Sequence, residues 1–203
     1  MGGCCEVDCV PDRLHGRQRR TLLIVLAINT VMFAVILAAA LYGKSSALLS
    51  DSLDNLGDAL TYGLSLYATS RGPVVKAKVA LVKGGFIFVA ACVVAFQIAF
   101  RILSPTLPRF EVMGAFSLMS LAANALCLFL LWCHRREDVN MSSVWECSRN
   151  DIASNLSVFV AAGAVWFTGS GWPDLVVASC LLLLLLRSSI RVIAAARAVL
   201  RPE

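Results

Sequence analysis

ALLSDSLDNLGDALTYGLSLYA, residues 47–68, has the length and apolar content of a membrane-crossing helix, yet it carries Asp51, Asp54 and Asp58 and no lysine or arginine. The spacings are i, i+3 and i+7, so a helix gathers all three carboxylates on one face, with Asn55 and Gly57 beside them. Each aspartate near the centre of a spanning helix costs about 2.5–3.5 kcal/mol on insertion scales. A stripe of three therefore demands compensation by a basic partner, protons, water or a bound cation. Asp51, nearest the helix start, reads equally as a wet helix end or as a charge that draws cations inward.

The rest of the chain is consistent with a membrane setting. Apolar residues make up 59% of the 203 residues, well above the share usual in a soluble domain. Six runs approach or exceed the ~20 residues that cross a bilayer: 21–42, 46–69, 77–103, 112–133, 143–168 and 174–196. The expected fold is an all-α integral membrane protein, a six-helix bundle over 21–200, preceded by a cytosolic tail over 1–20 and followed by no soluble C-terminal domain. The first apolar run is too long for a secretory signal and lacks a small-residue cleavage site.

Charge sets the expected orientation. Arg13, Arg17, Arg19 and Arg20 precede the first span; Arg71, Lys76, Lys78 and Lys83 lie between or just inside the second and third; Arg135 and Arg136 follow the fourth; Arg187, Arg191, Arg197 and Arg201 close the chain. The other loops hold Lys44 and Arg109, with Arg101 nearby. The positive-inside rule puts both termini in the cytosol; the expected location is a bacterial inner (plasma) membrane. The net charge of +5 is thereby accounted for without nucleic acid. Disulfides are not expected. Cys92, Cys127, Cys133, Cys147 and Cys180 lie in or beside helices, where cysteine commonly packs as a small apolar group. Cys4, Cys5 and Cys9 fall on the reducing side.

WECSRNDIASNLSVFVAA, residues 145–162, supplies a counterpart to the acidic stripe. Cys147 and Asp151 are four apart and Asn155 is one turn further, again on one face. Two helices that each offer an i, i+4 pair can close a four-coordinate metal site from Asp54, Asp58, Cys147 and Asp151, with Asp51 and Asn155 as auxiliaries. Carboxylate and thiolate donors suit zinc, and sulfur biases the set toward soft ions. Glu146 and Arg149 read as a pair at the headgroup level. Asn29 and Asn124 either line a cavity or hydrogen-bond across helices.

These segments resemble the cation diffusion facilitators, a family of divalent metal–proton antiporters. SSALLSDSLDNLGDAL resembles the family's second helix, with Asp54 and Asp58 in the paired ligand places; CSRNDIASN resembles the fifth, with Cys147 where histidine is more usual and Asp151 in the aspartate place. TGSGWPDLVVAS, with Asp174, is similar to the family's turn into the sixth helix. The resemblance covers about 20–200 and implies a short form without the usual C-terminal cytosolic domain and without a histidine-rich loop. It implies efflux of a zinc-like cation, with Cd2+ and Co2+ as further cargoes and protons as counter-substrate, in a protein that carries no cofactor and is a secondary transporter instead of an enzyme. Membrane lipid is the expected environment and a second copy of the chain a candidate partner. Cys4, Cys5 and Cys9 are candidates for capturing a soft metal in the cytosol.

Two other classes compete. A membrane enzyme of the CDP-alcohol phosphotransferase type resembles D-x-x-D-G followed by arginine; Asp51 and Asp54 have the opening spacing, but Asn55 replaces the glycine and no arginine follows in that span. A non-transporting membrane interaction module leaves the matched pairs on two helices unexplained. KGGF at 83–86 is too short for a phosphate loop. One measurement strains the expected site: at about 1.5 Å per residue, Asp54 and Asp58 lie roughly 17–22 Å from the first loop and Asp151 about 27 Å from the loop after its helix. A common site needs tilt, or a fifth helix that protrudes.

Overall fold

The computed structural model describes residues 11–68, 73–132 and 139–200, the side chains of 139–150 and of several positions in 11–18 and 65–79 excepted. It consists of α1 (Pro11–Gly43), α2 (Ser46–Ala68), α3 (Pro73–Leu103), α4 (Phe110–Trp132), α5 (Val139–Thr168) and α6 (Trp172–Leu200). The all-α bundle expected from the sequence is present. Proline opens α1 and α3, where its missing N–H costs nothing and its fixed φ suits a first turn. Helix α1 starts ten residues ahead of the first apolar run, so part of the expected tail is helical.

Helices α1, α3, α4, α5 and α6 each hold an apolar stretch long enough to cross a membrane, 25 residues at Arg19–Gly43 and 24 at Ala80–Leu103, for example. Their outward faces carry Phe96, Leu103, Phe129 and Phe167 at 73–87% exposure, as lipid-facing side chains should be. Helix α2 falls short of that apolarity because of its aspartates. The bundle resolves this by enclosing it: α2 packs against α1, α3, α5 and α6, and α1–α2, α3–α6 and α4–α5 are the most extensive pairs.

The three loops at the end opposite the termini meet one another. Arg109 N donates to Gly43 O at 2.9 Å, and the Arg109 guanidinium stacks 4.4 Å from the Tyr42 ring centroid. Helix α1 stops in a Schellman turn, with Ser45 N donating to Ala40 O at 3.1 Å and Lys44 in the left-handed region at φ 52°. Gly169, at φ 61°, ends α5 in the simpler left-handed cap, its N–H 2.9 Å from Val165 O.

The first turn of α2 is buried under α6. Ser45 caps α2, its Oγ accepting from Leu48 N at 3.0 Å. Asp174, in the first turn of α6, accepts from Ser45 Oγ at 2.6 Å, Ser46 N at 2.8 Å and Ala47 N at 3.1 Å. Its carboxylate thus meets the donors and the positive dipole end of a helix other than its own. Asp58 and Asp151 come within reach of each other between α2 and α5. That removes the mismatch of about 5–10 Å expected from counting residues at the α-helical rise.

Two apolar clusters fill the interior. The larger, toward the loop end, includes Met32, Ile36, Leu48, Val94, Met113 and Val158; the smaller, toward the termini, comprises Leu22, Val25, Tyr62, Cys127 and Leu131. Asp51, Asp58, Asn29, Asn124, Asp151 and Asn155 lie in sequence between the residues of these clusters and are all buried. On α1, α2 and α4 a polar layer thereby separates the two clusters.

Candidate metal-transport site

The polar layer grows from α2. The i−4 carbonyl habit of short polar side chains satisfies its donors locally: Ser50 Oγ bonds Ser46 O at 3.0 Å, Asn55 Nδ2 bonds Asp51 O at 2.9 Å and Thr61 Oγ1 bonds Gly57 O at 2.8 Å. Acceptors are left over. Asp51 Oδ2, Asn55 Oδ1, Asn29 Oδ1 and Asn155 Oδ1 are buried without a hydrogen-bond partner, as are the Asn155 amide nitrogen and the Ser46 and Ser120 hydroxyls. Such orphans are rare in native proteins and costly.

Asp58 and Asp151 come together. Asp58 is 9% exposed and Asp151 7%, and their carboxyls lie within hydrogen-bonding reach of each other, with the Tyr62 hydroxyl also on Asp58. Two carboxylates so close repel unless a proton or a cation lies between them. Asp54 is half-buried one turn back on α2, within electrostatic range of both Asp58 and Asp51. Asp51 is 2% exposed and the Ser120 hydroxyl of α4 approaches it. Asp51 is therefore no wet helix end. Asn155, fully buried, sits one turn beyond Asp151 on α5.

The expected closure by four ligands is not formed by side chains within view. Among the described residues no three of His, Cys, Asp and Glu converge closely enough to hold an ion. Cys147 lies on the backbone of α5, but its side chain is outside the described residues, as are those of Glu146 and Arg149; Cys4, Cys5, Cys9 and Cys133 are outside them altogether.

Two features escaped the sequence reading. Lys83, counted there among the charges that mark the cytosolic side, is half-buried on α3, donates to Thr61 Oγ1 and lends its charge to Asp58. The acidic stripe thus has a basic neighbour from another helix. Cys127 is no mere packing group: at 1% exposure it accepts a hydrogen bond from Asn29 Nδ2 at 3.8 Å, and Asp58 is within electrostatic range. This decides the role of Asn29, which bonds across helices. Cys92 and Cys180, by contrast, are exposed on outward faces. The signal for Cys127 was the buried stripe Met113, Ser117, Ser120, Asn124, Cys127 and Leu131 of α4, in which polar residues recur at helical spacing inside an otherwise apolar span.

No curated protein matches the chain. The description of the cation efflux transmembrane domain matches residues 22–200, from the first apolar turn of α1 to the end of α6. The match spans nearly the whole bundle, enclosed acidic helix included, and the chain belongs to the cation efflux family of membrane transporters.

Proposed function

We propose that the protein exports a zinc-like divalent cation in exchange for protons, with Asp54 and Asp58 of α2 and Cys147 and Asp151 of α5 as the cargo ligands. Asp51 and Asn155 are auxiliaries. The observation that carries this reading is the meeting of Asp58 and Asp151 in a buried layer whose acceptor oxygens lack donors.

The exchange follows from ligand chemistry. A metal requires deprotonated carboxylates and thiolate, so its arrival displaces protons and its departure lets them return. The same lone pairs serve either cargo, one at a time. Rocking of helices about the enclosed α2 would present the layer to one side or the other, as in transporters whose site lies near the midplane. The charge pattern of the loops supports cytosolic termini, which makes the direction export. Sulfur in the ligand set supports zinc and cadmium above harder ions.

The test is flux. Purified protein in liposomes that enclose a zinc-sensitive dye is given a transmembrane proton gradient. Zinc should move against the proton flow, and collapsing the gradient with an ionophore should stop the gradient-driven part. Zinc flux that ignores the gradient would remove the antiport; no flux of zinc, cadmium or cobalt would remove the cargo class.

A further inference from the structure

The buried stripe of α4 runs beside the acidic stripe of α2. The two helices run in the same direction through the bundle, the Ser120 hydroxyl approaches Asp51, and Cys127 is within electrostatic range of Asp58. Both steps are seven residues, two helical turns, so α4 keeps register with the aspartates along the layer.

At the lower rung the chemistry changes from hydroxyl to sulfur. The amide of Asn29 is oriented without ambiguity, because its nitrogen must face the Val25 carbonyl, 2.9 Å away. The second N–H points at Cys127 Sγ. That leaves Asn29 Oδ1 without a partner on a side chain 1% exposed. A thiol and an orphaned amide oxygen therefore lie on bonded neighbours of α1 and α4, with Tyr62 of α2 in the same cluster and the Asp58 carboxyl within electrostatic range of the thiol. A cysteine that served packing alone would be surrounded by apolar groups. Cys127 has Val25 and Leu131 in its cluster, but Asn29 and Asp58 on its other side.

We infer that Cys127 and Asn29 Oδ1 form a thiol-bearing station for a thiophilic divalent cation, adjoining Asp58 on its α1–α4 side. The inference rests on the reading of Asp58 as a cargo ligand and adds a determinant of cargo preference. A cation passing Asp58 meets sulfur from a helix that contributes none of the expected ligands. Soft ions gain there and hard ions, which prefer oxygen shells, do not.

The experiment uses the full chain in lipid nanodiscs, with cadmium chloride and magnesium chloride as probes. Cys127 is alkylated by a membrane-permeant maleimide and its extent of modification read by peptide mass spectrometry, with lipid-facing Cys180 as internal control. Cadmium at about ten times its Kd should slow alkylation of Cys127 about tenfold, because only the metal-free fraction reacts. Magnesium should leave the rate unchanged, Cys180 should ignore both ions, and Asp58→Asn should remove the protection. In parallel, Cys127→Ser should lose part of the ultraviolet sulfur-to-cadmium charge-transfer absorption of the wild type; this reading decides the matter if the maleimide never reaches the thiol. Equal alkylation with and without cadmium, or an unchanged band in Cys127→Ser, makes Cys127 a packing residue. If that result came from protein that still carries cadmium across liposomes, the station falls and the proposed transport stands. Protection in a protein that moves no metal would keep the station and sink the exporter.

Discussion

Asp174 and Ser45 stand 129 positions apart and meet at 2.6 Å, the carboxylate of one helix capping the start of another. Through this contact α6 sets the depth at which α2 begins, and so the level of Asp51, Asp54 and Asp58. Asp174→Ala removes the acceptor for one hydroxyl and two backbone amides, each buried. Leaving such donors unpaired costs about 1–3 kcal/mol apiece, not additively. We expect Asp174→Ala to lower the detergent melting temperature markedly and to reduce membrane abundance, with Asp174→Asn intermediate because its oxygen still accepts. An unchanged melting profile for the alanine variant would show that the cap is dispensable.

Asp58→Ala and Asp151→Ala should each stop metal flux in liposomes while the protein inserts normally. Each removes about one quarter of a four-ligand zinc shell, and neither carboxyl belongs to an apolar cluster. Normal flux at normal abundance in either variant excludes that residue from the site. Asp51→Asn should slow flux and leave residual turnover, since its charge attracts cargo from one helical turn away.

Close approach of α3 and α6 depends on Gly84. A β-carbon there would come within 2.5 Å of Ile193 Cγ1, whereas at Gly85 it would meet nothing within 4 Å. Ser189 Oγ also bonds Gly84 O at 2.9 Å across the same seam. Small residues at membrane helix contacts allow such packing. Gly84→Ala should destabilise by about 1–3 kcal/mol through overpacking, and Ile193→Ala should recover part of the loss. Gly85→Ala should be neutral or slightly stabilising, as alanine is the better helix former. Equal thermal shifts for the two glycine variants would refute the contact.

Cys147→His should keep transport and shift the cadmium-to-zinc flux ratio toward zinc, because imidazole suits zinc and thiolate favours the softer ion. Cys147→Ser should be the poorer transporter of the two. Identical ratios and rates in all three proteins would leave Asn155 or water in the fourth place.

Orientation is open to a labelling test. A membrane-impermeant thiol reagent outside intact cells should leave Cys4, Cys5 and Cys9 unmodified, since the arginines before α1 favour a cytosolic N-terminus. Labelling of these residues from outside would reverse the direction of transport.

What could be learned from the chain alone was whatever depends on neighbours along it. Periodicity and length define the six helices, because a helix in lipid must satisfy its own backbone and expose apolar side chains. The i, i+3, i+7 spacing of Asp51, Asp54 and Asp58 places them on one face whatever surrounds them, and the same holds for Asp151 and Asn155. Contacts between distant segments are not written locally. That Lys83 of α3 bears on Asp58, that Cys127 of α4 meets Asn29 of α1, and that Asp174 caps α2 all depend on how the helices are arranged around one another. Asp51 read equally as a wet helix end or as a charge that draws cations, because its helix starts beside a loop; only the tertiary packing buries it. Local spacing decides which side chains share a face, and tertiary packing decides what that face meets, because the partners of a buried charge come from whichever helices exclude the lipid around it.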